Sequence, residues 1–568
     1  MKQRVLIVGA GPVGLSTAIE LSRRGVQCRI IDRDPPRPES ESRATAVHAR
    51  TLELLASFGV ADEILAQSRP LHGISVYSGG RRLGRATFDG LDSPYPFVAM
   101  LPQALTEQIL RKRLARSGVE VEAPVELIAL EPALDRVHAT LRDAQGNEVA
   151  TDAEWVIGCD GGHSVVRKSM NVGFVGQPIS GAYLMDCRLD WTRGGPEDDG
   201  QNYLGPGKDL VLWQNPKGLT RIVVSISTQN ARWHKDSPSI ELMQSFLDEE
   251  PAIGARIREV TWSSAFEISN RIATSYRKGR VFLAGDAAHI HDPSGGQGMN
   301  VGIQDGQNLA WKLAAHLQGS APENILDSYE RERRPVALSV LEATGLTERL
   351  LTSASMPVNK LRDAALSLLT SSRLAQLIGR TSIAGLRIDY GKSSIVNQHE
   401  SIGANWLRAR PGARLGDVYA FERAPRVGRR APNASELTRN GGQRVSLFDL
   451  IGADIRHHLL AFGGLSSADP ARVEQLRQRV APILARHAAL LTGTVIVLPP
   501  MTAPEGTAFV VDQRFEAHAR YGAKCECLYL VRPDGYIAFR CLGTDVEALE
   551  SYLRRTFSVA QLAGAGAG

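Results

Sequence analysis

Gly9-Ala10-Gly11-Pro12-Val13-Gly14 is a G-x-G-x-x-G run directly after the apolar stretch Val5-Leu6-Ile7-Val8 and directly before a helical pattern. In that setting the first glycine makes a tight turn, the second lets backbone approach a pyrophosphate, and the third lets helix pack on strand. Phosphate oxygens then meet free N–H groups at the positive end of the helix dipole. Asp32, with Arg33 beside it, closes the next strand, placed to accept from a ribose hydroxyl. A dinucleotide site follows from these residues; whether it takes NAD or FAD does not.

Two later segments repeat the arrangement of a buried strand ending in a turn with Gly and Asp. The strand Trp155–Gly158 runs into Cys159-Asp160-Gly161-Gly162-His163-Ser164-Val165-Val166-Arg167. The strand Val281–Ala284 runs into Gly285-Asp286-Ala287-Ala288-His289-Ile290-His291-Asp292-Pro293-Ser294-Gly295-Gly296-Gln297-Gly298-Met299-Asn300. With these motifs in order, the sequence resembles the class A flavoprotein aromatic hydroxylases, the group of p-hydroxybenzoate hydroxylase and phenol hydroxylase. The likeness extends through Leu101-Pro102-Gln103, Glu330–Pro335 and Leu530–Tyr536, and so covers nearly the whole chain.

The resemblance implies FAD as cofactor, NADH or NADPH as co-substrate, and hydroxylation of a phenol-like aromatic with O2. In such enzymes NAD(P)H reduces FAD, reduced FAD and oxygen give a C4a-hydroperoxide, and its distal oxygen passes to the ring. The resemblance places Arg43 and Gln103 against FAD, and Asp160, Gly161 and Arg167 where FAD is touched and NAD(P)H assisted. A surface arginine and a polar helix start are the plainer readings of Arg43 and Gln103. Asp286, at the carboxyl end of its strand, is placed to bind a ribityl hydroxyl. The turn of Gly296, Gln297, Gly298, Met299 and Asn300 opens a helix whose dipole would face the flavin's pyrimidine edge, where charge collects on reduction. Pro293 is expected beside the flavin and the reaction. Asp292 departs from the pattern, since relatives carry Ser or Pro there.

Phenol hydroxylases place an aspartate near the substrate hydroxyl where this chain has Thr45. His48 is the neighbouring group able to take a phenolic proton, with a satisfied structural histidine as the plainer reading. Tyr203 and Trp213 are pocket candidates, with aromatic core residues as the alternative. His289, His291, Asp286 and Asp292 crowd together, but no metal is expected, because no second-shell pattern is readable.

These residues must be carried by an α/β FAD-binding Rossmann-like domain (1–180 and 269–396, the second part with a helical segment bounded by Pro335 and Pro357). An antiparallel-sheet substrate domain is expected inserted at 181–268. A Gly/Pro/Arg-rich linker is expected at 397–442. A thioredoxin-like domain is expected at 443–568, with Asp469-Pro470 opening a helix. Its first strand ends in Phe462-Gly463-Gly464-Leu465 without C-x-x-C, and Cys525-Glu526-Cys527 is one residue too short, so no disulfide chemistry is expected. That unit is expected to be structural, with homodimer formation as one role for it.

Composition narrows the classes. Hydrophobic residues make up 43% and charged residues 22%, and 66 basic against 61 acidic residues leave a net charge of +5. That is an ordinary globular balance, without the basic runs interleaved with aromatics that a nucleic-acid partner needs. No apolar stretch reaches the roughly 18 residues of a membrane span, and no room for a signal peptide precedes Val5. Six cysteines form no disulfide or zinc pattern. A cytoplasmic protein with no membrane partner is expected.

Overall fold

The computed structural model describes residues 4–39, 41, 44–192, 199–227, 230–292, 295–398, 415–439, 442–452, 454–465, 469–499 and 509–558. It divides into two compact units, one of Met1–Gln307 with Arg333–Leu386, the other of Asn308–Glu332 with Arg387–Gly568.

In the first unit, a six-stranded sheet runs in the order Arg277–Lys278, Val281–Leu283, Trp155–Gly158, Val5–Val8, Cys28–Ile31, Val121–Glu122. All its pairings are parallel except that of Arg277–Lys278 with Val281–Leu283. Val5–Val8 and Trp155–Gly158 are buried throughout, as strands covered on both faces must be. Helix Pro12–Arg23 returns from Val8 to Cys28 and ends at Gly25, whose φ of +70° is the left-handed conformation expected of a C′ glycine. The three motif-bearing strands are adjacent and parallel, so their motifs emerge at one edge.

An eight-stranded sheet lies in the same unit: His289–Ile290, Ala255–Ala273, Phe174–Trp191, Thr220–Ile226, Lys208–Gln214, Gly200–Gly205, Gly73–Ser78, Arg81–Thr87. It is larger than the segment 181–268 anticipated. The long strands overrun both limits, and the Gly73–Thr87 hairpin completes the edge through parallel pairing with Gly200–Gly205. The hairpin turns on Gly79 and Gly80, both at positive φ, the geometry that lets two-residue loops follow strand twist.

Pro335 does not end a helix. It lies inside Asp327–Leu351, where surrounding packing outweighs the lost N–H. Pro357 does mark a boundary, in the first turn of helix Met356–Ser371. The stretch 397–442 is not plain linker: Asn397–Gln398 joins a sheet and Leu415–Arg423 is helical.

The second unit carries an eight-stranded mixed sheet. Its central order is Ile537–Leu542, Cys527–Val531, His457–Phe462, Leu491–Val497, with His457–Phe462 parallel to Leu491–Val497 and antiparallel to Cys527–Val531. Helix Pro470–Arg486 makes the parallel crossover and is capped by Asp469, which accepts from the Ala471 N–H at 3.0 Å. A Cβ on Gly464 would stand 2.7 Å from the Cys525 backbone, so the turn after the first central strand is packed rather than open. All six cysteines are free thiols.

Candidate active site

The three motifs meet. A Cβ on Gly9 would lie 2.4 Å from the Cys159 carbonyl oxygen, and one on Gly14 would lie 1.9 Å from Gly9 O. A Cβ on Gly285 would lie 2.8 Å from Val13 Cγ2, and one on Gly302 2.6 Å from the same atom. Glycines at these positions let the first turn, the Asp160 segment and the Asp286 turn stack at the carboxyl ends of their strands, where open α/β sheets bind ligands.

Gly11 is different. The nearest atom to its ideal Cβ is Glu107 Oε1 at 4.0 Å. Among the described residues the space above it is open, and the helix N-terminus behind it has no side-chain cap. This is a cradle for a pyrophosphate, and the residues present fit FAD. Asp32 accepts from the Ala10 N–H at 2.6 Å and the Asp34 N–H at 3.0 Å, which fixes its carboxylate beside the cradle. Gln103 donates to Glu107 at 2.8 Å, and Arg111 donates to the Ala10 carbonyl at 3.2 Å. Glu107 and Arg111 are neighbours of the turn that sequence reasoning missed, because a helix 90 residues away announces nothing about where it packs. Arg33 is exposed and lines a recess of about 270 Å³ with Asp34, Pro124, Glu126, Arg142 and Asp143.

Asp160 and Arg167 are committed within the protein. Asp160 accepts from Ser164 Oγ at 2.6 Å and from the Val165 and Val166 N–H groups, capping the helix Val165–Ser169. Arg167 donates to the Ala287 and Gly162 carbonyls at 2.9 and 2.8 Å and stacks over Phe174. Their role in the geometry is to tie the second motif to the third, with Gly161 at positive φ in the intervening turn.

Asp286 is exposed at the tip of the third motif. Behind it, buried Asp305 accepts from Arg333 Nε at 2.6 Å, His289 Nε2 at 2.7 Å and the Gly285 N–H at 3.2 Å. Burial alone would raise the Asp305 pKa, but Arg333 and His289 more than offset it and hold the carboxylate ionised. His289 is thus engaged by its hydrogen bond to Asp305, and among the described residues no cluster of His, Cys, Asp and Glu is arranged to hold a metal ion. Asp305 carries no motif signal of its own, and Arg333 lies in the Glu330–Pro335 stretch of the likeness, which assigned it no role.

Asn300 clamps the loop after Gly295. Its side chain donates to the Ala46 and Gly296 carbonyls at 2.8 and 2.7 Å and accepts from the His48 N–H at 2.9 Å. His48 Nε2 donates to the Gly295 carbonyl at 2.7 Å, which leaves Nδ1 as the acceptor nitrogen, buried and unpartnered. Burial lowers the His48 pKa to about 4. It is a neutral, weak base at neutral pH, so its geometry favours positioning the Gly295–Gly296 turn over accepting a phenolic proton. Gly296 itself has no room for a side chain, since a Cβ would stand 2.5 Å from Ala46 Cβ. Gln297, Gly298 and Met299 complete the start of helix Gly298–Leu317. Arg43 and Pro293 lie outside the described residues.

Tyr203 is not a pocket residue. It sits in the core of the large sheet, stacked on Tyr77 at 4.9 Å, with its hydroxyl on Gln201. Trp213, ten residues on and directed to the other side of the sheet, packs against an apolar cluster containing Ala49, Leu71, Phe88, Met100 and Ala46. Its indole N–H is buried without a partner, and its neighbour Ala46 is the residue whose carbonyl Asn300 holds.

Asp292, where the sequence departs from the family pattern, is fully buried and hydrogen-bonded to Glu348, with Asp209 close by. Glu348 accepts from Ser180 Oγ at 2.6 Å. Burial, then the charge of Asp292, pushes Glu348 up to about 8 and Asp209 up to about 7. Both folded-state values lie above the unfolded ones, so the stability these protons confer is complete below about pH 4 and is lost as pH rises through 7 to 8. Thermal unfolding of the apoprotein across that range is expected to show a falling Tm, and Glu348→Gln to flatten the fall. Parallel curves for the two proteins would refute the shared-proton arrangement.

Comparison with known proteins agrees with this geometry. Residues 2–344 match the FAD binding domain family and residues 424–560 the aromatic-ring hydroxylase C-terminal family. Pentachlorophenol 4-monooxygenase of Sphingobium chlorophenolicum is 32% identical over 564 residues, 97% of either chain. 6-Methylpretetramide 4-monooxygenase of Streptomyces rimosus is 40% identical over 360 residues, 62% of this chain and 64% of that one. Anhydrotetracycline hydroxylase of Streptomyces rimosus superposes with a TM-score of 0.72 at 27% identity, covering 98% of this chain and 99% of that one. A cradle of this kind, in a chain matched from end to end, defines a flavoprotein oxygenase. The chain belongs to the FAD-dependent aromatic-ring hydroxylases and is a monooxygenase.

Proposed function

We propose that the protein hydroxylates a phenolic aromatic compound with O2, taking its electrons from NADH or NADPH. The observation that carries the reading is the stacking of the three motifs at the carboxyl ends of adjacent parallel strands, around a turn whose Gly11 faces open space. FAD, when bound, supplies the oxygen chemistry. Gly9 to Gly14, Asp32 and Gln103 would hold its adenosine and pyrophosphate, and Asp286 its ribityl chain. The helix starting at Gly298 would face the flavin ring. Asn300 and His48 orient the turn against which the ring would lie. The apolar cluster would exclude water from the reacting face, and the Trp213 N–H would donate to a substrate oxygen.

A polycyclic frame for the phenol is the second reading, favoured by the 40% identity with a 6-methylpretetramide monooxygenase. We read the second unit as a thioredoxin-like domain without redox function, because its β-α-β, β-β-α order matches while the turn at Gly463-Gly464 has no cysteine. Six free thiols fit a reducing cytoplasm.

Substrate should gate the reaction, because a reduced flavin meeting oxygen alone wastes reductant, and one dinucleotide site leaves NAD(P)H no resident berth. Such gating requires the substrate to bind the reducible arrangement better. Anaerobic stopped-flow reduction is expected to quicken at least tenfold, about 1.4 kcal/mol of barrier, with a suitable phenol. The product should carry one atom from labelled oxygen gas. A protein that oxidises NAD(P)H but labels no aromatic product would be a reductase instead.

A further inference from the structure

Helices of water-soluble proteins bury an apolar stripe and turn polar residues outward. The pair Met356–Ser371 and Arg373–Ile383 does the reverse. The only buried side chains of the first are Asn359 and Arg362, and the second buries none. Leu361, Leu368 and Leu374 are 74%, 71% and 67% exposed, and nine of the sixteen large apolar side chains exposed among the described residues lie between 346 and 378. Exposed large apolar side chains concentrated in one segment mark an interaction site.

The orientation is built in. Asp363 accepts from Ser78 Oγ at 2.6 Å and from Arg362 Nε at 2.9 Å, and Arg362 also donates to the Leu351 carbonyl at 3.2 Å. Thr370 sits over Gly84, where a Cβ would stand 2.0 Å from its hydroxyl oxygen. These contacts hold the polar face of Met356–Ser371 inward on the hairpin strand Arg81–Thr87 and its neighbour. Leu361 and Leu368, seven residues apart, therefore share an outward face, as do Leu374, Leu377 and Ile378 on the next helix.

Between 347 and 383 the available charges are of one sign, and exposed Glu342 borders the patch one turn before Leu346. Arg349, Lys360 and Arg373 are exposed and Arg380 is half-buried. The two acids from 347 to 383 are unavailable to a partner: Glu348 is buried, and Asp363 is engaged by Arg362 and Ser78. A second copy docking through a two-fold axis would set the patch against itself and bring these cations together. An anionic lipid surface instead satisfies both features, leucines entering the headgroup boundary and Lys/Arg pairing with phosphates.

We propose that the 346–378 face is a peripheral docking surface for anionic membranes. It departs from the expectation, drawn from sequence, of no membrane partner, and it involves no spanning helix.

The test is co-flotation of the FAD-loaded full-length protein with vesicles of phosphatidylcholine alone or mixed with phosphatidylglycerol. Association is expected to be at least about tenfold stronger with phosphatidylglycerol and to weaken in high salt. Leu368→Ser with Leu374→Ser should abolish it, and Lys360→Glu with Arg373→Glu should remove the preference for anionic lipid. Both variants should keep wild-type circular dichroism and NAD(P)H oxidation. Absent or composition-independent binding would overturn the proposal. So would a wild-type dimer in analytical ultracentrifugation that the serine variant dissociates, since the occupant would then be a second copy.

Discussion

Gly11→Val is expected to leave the apoprotein's Tm unchanged while weakening FAD binding at least about 100-fold, roughly 2.7 kcal/mol. The reason is the contrast between two glycines of one motif. Gly11 has an extended backbone, at φ −73° and ψ −176°, which any residue adopts, and among the described residues, its chain neighbours aside, no atom closer than 4.0 Å to its would-be Cβ. A side chain there displaces only what the cradle is built to receive. Gly14→Ala is expected to differ, because its Cβ would lie 1.9 Å from the Gly9 carbonyl oxygen, a backbone atom that cannot rotate away. That change should destabilise the apoprotein as well as abolish binding. Calorimetry of the apo forms and flavin fluorescence titration separate the two. Equal Tm losses in both variants would show that Gly11 is structural and the cradle misplaced.

Glu332→Ala should be the most destabilising single substitution in the second unit. Glu332 accepts from both terminal nitrogens of Arg532 at 2.8 Å, from Lys312 at 2.8 Å, from Asn308 at 2.7 Å and from Ser393 at 2.6 Å. Asp534 completes the group, accepting from Arg532 Nε at 2.9 Å and Trp311 Nε1 at 3.1 Å. Two cations and two anions are all almost fully buried. Burial alone would raise the Glu332 pKa, but Arg532 and Lys312 hold it well below the usual range, while burial lowers Lys312 to about 8. Removing the carboxylate strands Lys312 and Arg532 with one anion between them. Breaking a buried pair costs about 3–5 kcal/mol, a fall in Tm of roughly 10 °C for a unit of this size. Glu332→Gln keeps the shape and part of the hydrogen bonding and should fall between. Scanning calorimetry reads all three, and a loss under about 1 kcal/mol for the alanine variant would mean that solvent reaches the site.

The Rossmann turn was legible because its requirements are local. A strand, three glycines, a helix and a terminal acid lie within Val5 to Asp32, and each answers to its own neighbours. The same holds for the Asp469-Pro470 helix start and the glycine C-cap at Gly25. The substrate-side residues were less legible. Tyr203 and Trp213 looked equivalent as aromatic residues in one sheet, yet strand alternation sends one into the core and the other toward Ala46. Sequence patterning gave no warning of which face held the core, because both neighbouring strands are rich in apolar residues.

By itself the sequence determined a dinucleotide-binding turn, the chain order of the strands that present the three motifs, and the absence of C-x-x-C in the last unit. These are properties of short segments or of chain order, and backbone geometry enforces them wherever the segments are placed. Tertiary structure alone decided the ionisation and partnering of the buried groups. Asp305 is committed to Arg333 and His289, His48 is a weak base, and Asp292 shares its surroundings with Glu348 and Asp209 because residues distant in the chain are buried together. It also decided that Leu361, Leu368 and Leu374 face outward, since an amphipathic pattern shows that a helix has two faces but not which of them the fold covers. Burial and charge pairing are many-body quantities, and they exist only once distant segments have met.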